Sequence, residues 1–186
     1  MAHLVTPEQQ AARILVDGGL IAHATEGVWG FACDPLCEQA TFRLLEIKGR
    51  SWEKGLLLLG GDASDFKDQL AELPQCRIDR VTKSWPGHNT WVLPDTRYPR
   101  WVRGIHTGVA CRVPDHDQAR RLARLCGFPF ISTSLNRAGR PPITRQADAQ
   151  VQFAGVVDFI LPGETSGYSG PSVIRDSQGE ILRGTS

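Results

Sequence analysis

Short apolar runs alternate along the chain with longer segments of mixed apolar and charged residues, the pattern of strands interleaved with helices. Thr6-Pro7-Glu8-Gln9 reads as an N-cap, a proline at the first helical position and a glutamine at the third. It opens a helix that stops near Gly18-Gly19. Residues 20–24 follow as an apolar strand. A second helix covers Glu38–Lys48, with Phe42, Leu45 and Ile47 among its apolar positions and Gly49 as its stop. Residues 55–59 are almost wholly apolar, as a strand covered on both faces would be. Asp62 is expected to cap a helix reaching Leu73, and another helix lies near residues 77–84. Residues 89–93 and 108–113 read as strands; Asp115 caps a helix to about Cys126, and residues 130–134 are again a strand. Thr144 caps a last helix, residues 157–161 form a strand, and residues 171–176 pair with 180–183 as a hairpin around Ser177-Gln178-Gly179. There is no internal repeat, low-complexity tract or linker. The alternation predicts an α/β fold, a twisted mixed sheet with helices on its faces.

A chain of 186 residues, 41% hydrophobic, suits one domain over residues 1–186 with a sizeable core. Its net charge is +1, so the chain as a whole does not advertise nucleic-acid binding. The distribution says more: residues 97–186 carry twelve Arg and no Lys against seven acidic residues, and the rest of the chain is net acidic. Arginine favours planar, bidentate contact with phosphate or carboxylate. The five cysteines include no C-x-x-C pair, so reduced thiols and a cytoplasmic location are expected rather than a zinc site. The N-terminal residues resemble no leader, and no apolar run reaches membrane-spanning length, so no membrane partner is expected.

Two short strings carry the chemistry. Lys48-Gly49-Arg50 follows a helix and leads, with Lys54, into a buried strand. The helix dipole accounts for Lys48 but not for Arg50, which lies past the glycine, so this reads as a phosphate-facing loop. Ser132-Thr133-Ser134-Leu135-Asn136 ends an apolar strand and places hydroxyls and an amide at the sheet rim, where ligands bind in open α/β folds. Arg112 sits inside an apolar strand; it either pairs with a core acid or meets a ligand carboxylate in a cavity, and the second is expected. Thr25-Glu26-Gly27 after the first strand reads as a turn, and Trp85 and Trp91 as anchors of one. The phosphate-binding strings G-x-x-x-x-G-K-[ST] and G-x-G-x-x-G are absent, as is the nucleophile elbow G-x-S-x-G. A nucleotide here would be held by side chains and strand-end amides.

These strings resemble a known family. Thr25-Glu26, Lys48-x-Arg50, Trp85-Pro86-Gly87-x-x-Thr90, Ala110-x-Arg112-Val113-Pro114, Ser132-Thr133-Ser134-x-Asn136 and Ser172 occur in the order seen in the YrdC/Sua5 family of L-threonylcarbamoyladenylate synthases. The resemblance runs from about residue 8 to Arg183 and is to the short, single-domain type. It implies a twisted sheet curved around a large basic cavity. It also implies condensation of L-threonine, bicarbonate and ATP, with Mg²⁺, to threonylcarbamoyl-AMP, pyrophosphate and water. The product serves t6A modification at position 37 of tRNA through a downstream threonylcarbamoyltransferase complex. By position, Lys48, Arg50, Ser134 and Asn136 would hold ATP phosphates and bicarbonate, with Lys48 and Arg50 catalytic. Arg183 would join the nucleotide site, and Thr25, Arg112, Ser132 and Ser172 would bind threonine. Two other readings share the fold: a non-catalytic module binding double-stranded RNA or the ribosome, and the carbamoyl-transfer domain of hydrogenase maturation, which sits in much longer chains; contact with tRNA or double-stranded RNA is compatible with the enzyme as well.

Overall fold

The first helix begins where its cap dictates. The Thr6 hydroxyl accepts from the Gln9 N–H at 3.2 Å, and the Gln9 side chain accepts from the Thr6 N–H at 2.9 Å. The computed structural model describes residues 4–168 and 170–184. Its first half comprises α1 (Pro7–Val16), β1 (Ile21–Ala24), β2 (Trp29–Cys33), α2 (Glu38–Lys48), β3 (Leu57–Leu59), α3 (Lys67–Leu70) and α4 (Gln75–Lys83). The second comprises β4 (Asn89–Pro94), α5 (Arg100–Arg103), β5 (Gly108–Arg112), α6 (Asp117–Cys126), β6 (Phe130–Ser134), α7 (Gln146–Phe153), β7 (Phe159–Ile160), β8 (Val173–Arg175) and β9 (Ile181–Arg183). The described strands join one mixed sheet of order β7-β1-β2-β6-β3-β5-β4-β8-β9.

Successive strand side chains point to opposite faces, so each apolar run feeds two cores. Ile21, Ala32, Leu59 and Phe130 pack with Ala11 and Leu15 of α1 and Leu122 and Ala123 of α6. Their neighbours Ala22, Phe31, Leu58 and Ile131 pack on the other face with Leu44 of α2, Val81 of α4, Val102 of α5 and Phe153 of α7.

Several elements depart from the sequence reading. β2 was not anticipated; it is a short strand containing Gly30, and it returns antiparallel to β1 through the Thr25–Val28 turn. The helix expected from Asp62 to Leu73 is a 3-10 turn, Ala63–Phe66, followed by the single turn of α3. Asp65 draws that start tight by accepting from the Gly61 and Asp62 N–H groups. Asp115 does not cap α6: His116 does, through Nδ1 to the Ala119 N–H at 3.3 Å, while the Asp115 N–H goes to Glu26. α7 starts after Arg145 rather than Thr144, and no side chain caps it.

Gly104 joins two segments that later matter. With φ +71, it is in a region closed to most side chains, and an added Cβ would lie 2.3 Å from the Glu53 oxygen. The absence of a side chain lets residues 103–107 lie against residues 53–55, where the Ile105 N–H donates to that same oxygen at 3.1 Å. Gly104→Ala is expected to lower stability by about 1–3 kcal/mol, read as a drop in the urea midpoint at unchanged slope; an unchanged midpoint would show that these segments shift freely.

Candidate active site

All nine residues assigned from sequence (Thr25, Lys48, Arg50, Arg112, Ser132, Ser134, Asn136, Ser172 and Arg183) line one cavity of about 1050 Å³. That volume is at the upper end of the roughly 300–1,000 Å³ usual for small-molecule sites, enough for two ligands at once. Lys54, Arg103 and His106 line it too, whereas no carboxylate does among the described residues. Lys54 had been read as part of a phosphate-facing loop. Arg103 and His106 had not been singled out, because a polar turn before a strand has no chemical signature.

Lys48 ends α2 and turns inward because Gly49, at φ +60, stops the helix in the left-handed conformation. Its buried ammonium donates to three oxygens: Ser134 O, Asn136 O at 3.0 Å and Asn136 Oδ1 at 3.3 Å. It also lies 5.6 Å from the Phe31 ring centroid. The Ser134 hydroxyl donates to Asn136 Oδ1 at 2.6 Å, and Asn136 Nδ2 donates to Arg137 O at 3.2 Å and Arg140 O at 2.6 Å. The direct phosphate contacts expected of Lys48 and Asn136 therefore have no spare donor in this arrangement. Both residues shape the strand end, and Lys48 adds its charge. Burial, reinforced by the Arg50 charge, lowers the Lys48 pKa to about 8.

Arg50 and Arg183 differ from Lys48. Arg50 spends one nitrogen on Gly55 O at 2.9 Å, and its buried Nε has no partner among the described residues. Arg183, on β9 at the cavity rim, has no side-chain hydrogen bond or ion pair among the described residues. Desolvation lowers the pKa of both, and the Arg183 charge lowers Arg50 further. Two guanidinium groups thus repel each other, with no acid in the cavity lining among the described residues.

Arg112 combines the two alternatives left by its sequence. It pairs with the fully buried Glu26 at 2.5 Å, which corrects the expectation that a ligand alone would neutralise it, and it also lines the cavity. Its Nε donates to Gly87 O at 3.2 Å, and Nη2 also donates to His88 Nδ1 at 3.1 Å. The other terminal nitrogen makes no hydrogen bond among the described residues. Burial lowers the Arg112 pKa and Glu26 opposes that shift, so the pair holds the charge in place. Glu26, read from sequence only as part of a turn, is the acid behind this arginine. Thr25 does make the expected turn, donating to Val28 O at 2.7 Å. The Ser172 hydroxyl is held by buried Thr90 at 2.7 Å, and the Trp85 and Trp91 indoles anchor their turn on Asn89 O and the Ser84 hydroxyl.

The family model described as Telomere recombination, covering Sua5, YciO and YrdC proteins, matches residues 13–184. The chain belongs to the Sua5/YciO/YrdC family. Among its members, the chain is 45% identical to the threonylcarbamoyl-AMP synthase of Pseudomonas savastanoi pv. phaseolicola, over 94% of this chain and 95% of that one. It is also 45% identical to the threonylcarbamoyl-AMP synthase of Hahella chejuensis, over 94% and 96%. Of solved family structures, P. abyssi Sua5 carrying H234A/Y235A superposes with a TM-score of 0.88 at 29% identity, covering 95% of this chain and 55% of that one. P. abyssi Sua5 complexed with L-threonine superposes with a TM-score of 0.84 at 29% identity, over 91% and 50%. The chain thus spans about half of the Sua5 chains and nearly all of the curated relatives. No described helix is long and apolar enough to cross a membrane.

Raising pH through about 8 takes a proton, a hydrogen bond and a charge from Lys48. Affinity for inorganic pyrophosphate, measured by titration calorimetry, is expected to fall across that range, and Lys48→Met should bind weakly with a flatter profile. Because the folded pKa lies below the ordinary 10.5, deprotonation favours the folded state between about 8 and 10.5. Lost binding there with an undiminished unfolding midpoint points to the site; a pH-independent affinity would contradict the assignment.

Proposed function

We propose that this chain is a threonylcarbamoyl-AMP synthase, condensing L-threonine, bicarbonate and ATP to threonylcarbamoyl-AMP, pyrophosphate and water. The observation that carries the reading is the pair Arg50 and Arg183, which repel each other in a cavity lined by cations and hydroxyls and by no described carboxylate. Such a site favours a polyanion. Arg112 adds a separate donor for a carboxylate, so a nucleotide and an amino acid can meet in one space.

The threonine amine attacks carbon dioxide or bicarbonate to give a carbamate, and a carbamate oxygen then displaces pyrophosphate at the α-phosphorus. No protein nucleophile is needed. The residues hold the anions together and stabilise charge that develops on the departing phosphates. Arg50 and Arg183 contact phosphate, Lys48 supplies its charge and fixes the Ser134–Asn136 strand end, and Ser134, its proton committed to Asn136 Oδ1, accepts from the bicarbonate hydroxyl. Arg112 takes the threonine carboxylate beside Thr25, Ser132 and Ser172. Enclosure matters because a carbamate is labile in water. The described lining offers no carboxylate to hold a resident metal, so Mg²⁺ would come as part of the nucleotide substrate, MgATP, and would neutralise its phosphates. The enzyme acts in the cytoplasm as a nucleotidyltransferase, and a tRNA threonylcarbamoyltransferase consumes the product for t6A at position 37. A non-catalytic RNA-binding module has no use for a cavity with a separate carboxylate donor.

Incubation with ATP, Mg²⁺, labelled bicarbonate and each amino acid in turn should give a labelled acyl-adenylate and pyrophosphate with threonine. Lys48→Ala or Arg50→Ala should lower turnover by about 10²–10³, the scale of one preorganised charge-stabilising donor. Pyrophosphate release within tenfold of the parent enzyme would reject those roles.

A further inference from the structure

Hydroxyls bind ligands as donors or as acceptors, and the proton's position decides which. At the amino-acid end of the cavity that position follows from the partners. His23, fully buried on β1, has Nδ1 at 3.1 Å from Ala24 O and Nε2 at 3.1 Å from the Ser132 hydroxyl. A carbonyl only accepts, so Nδ1 carries the ring proton. Burial, with the nearby His116 charge, lowers the His23 pKa to about 3, so the ring is neutral and its Nε2 is an acceptor. The Ser132 hydroxyl therefore gives its proton to His23.

Packing fixes the ring. Phe130 meets it edge-on at 5.2 Å between centroids. A Cβ on Gly30 would come within 3.2 Å of Ser132 Oγ and 3.3 Å of His23 Nε2, so glycine there leaves room for the pair. Thr25 repeats the polarity, its proton being committed to Val28 O at 2.7 Å. Both hydroxyls line the cavity.

We infer that His23 is a positioning residue that holds Ser132 as an acceptor-only contact, so that with Thr25 it selects a substrate group that donates a hydrogen bond. This rests on the reading of the cavity as an amino-acid site. Arg112 then serves the carboxylate, while Ser132 and Thr25 serve the ammonium or the β-hydroxyl. A substrate presenting an acceptor at that point meets lone pairs and is rejected.

Imidazole ¹⁵N spectra of the wild-type protein test the lock directly: Nδ1 of His23 should be protonated and Nε2 bare, unchanged down to the acid limit of the fold. Kinetics test its consequence. His23→Phe should raise KM for threonine by about 5–10-fold, the scale of one net hydrogen bond, with kcat and the ATP KM within about twofold. In a Ser132→Ala background the same change should have no further effect on the threonine KM. Comparison with 2-aminobutyrate separates the sources. A rise for threonine alone assigns the contact to the hydroxyl, and an equal rise for both assigns it to the ammonium. A proton on Nε2, or an unchanged threonine KM in folded His23→Phe, would overturn the inference. Wild-type protein that releases no pyrophosphate with threonine would instead overturn the amino-acid reading of the pocket.

Discussion

The Lys48 ammonium joins the end of α2 to the end of β6, and the site is arranged around that junction. Its three N–H bonds end on Ser134 O, Asn136 O and Asn136 Oδ1, all in one segment of the cavity wall. A buried ammonium left unpartnered is expensive. The strand end must therefore stay within reach of it, and Asn136 passes the constraint on to Arg137 O and Arg140 O. The reverse link, from the Ala138 N–H to Lys48 O at 2.8 Å, closes the loop onto the helix.

Around this junction the cations divide into two kinds. Lys48 and Arg112 are anchored by the protein, one by neutral oxygens and the other by Glu26. Arg50 and Arg183 keep donors to spare and repel each other. Anchored charges set the potential and geometry in advance, while the unanchored pair gains most when an anion arrives. That division suits a reaction in which the protein gathers anions and supplies no nucleophile. It also explains why a small sheet needs no glycine-rich phosphate loop.

Local signals were legible, and distant ones were not. The Thr6–Gln9 capping box, the Gly49 stop and the terminal hairpin depend on neighbours in sequence, and all stand in the structure. Every residue singled out for the site reaches the cavity wall. The pairing of Arg112 with Glu26 was illegible because one half sits in the turn after β1 and the other on β5, and the two meet only when those strands join the same sheet. β2 carried a glycine and a tryptophan in five residues, too short a pattern to announce a strand. That Lys48 would spend its donors on the Ser134 and Asn136 oxygens was hidden, because those acceptors lie more than eighty residues away in sequence. Arg103 and His106 reach the cavity only through the packing that Gly104 permits.

A crystal structure with L-threonine and a non-hydrolysable ATP analogue bound together tests the central claim most directly. The account predicts both ligands in the single cavity, with phosphates on Arg50 and Arg183, the carboxylate on Arg112, and Lys48 still on the Ser134 and Asn136 oxygens. Lys48 released from those oxygens onto a phosphate, or a nucleotide bound outside the cavity, would contradict it.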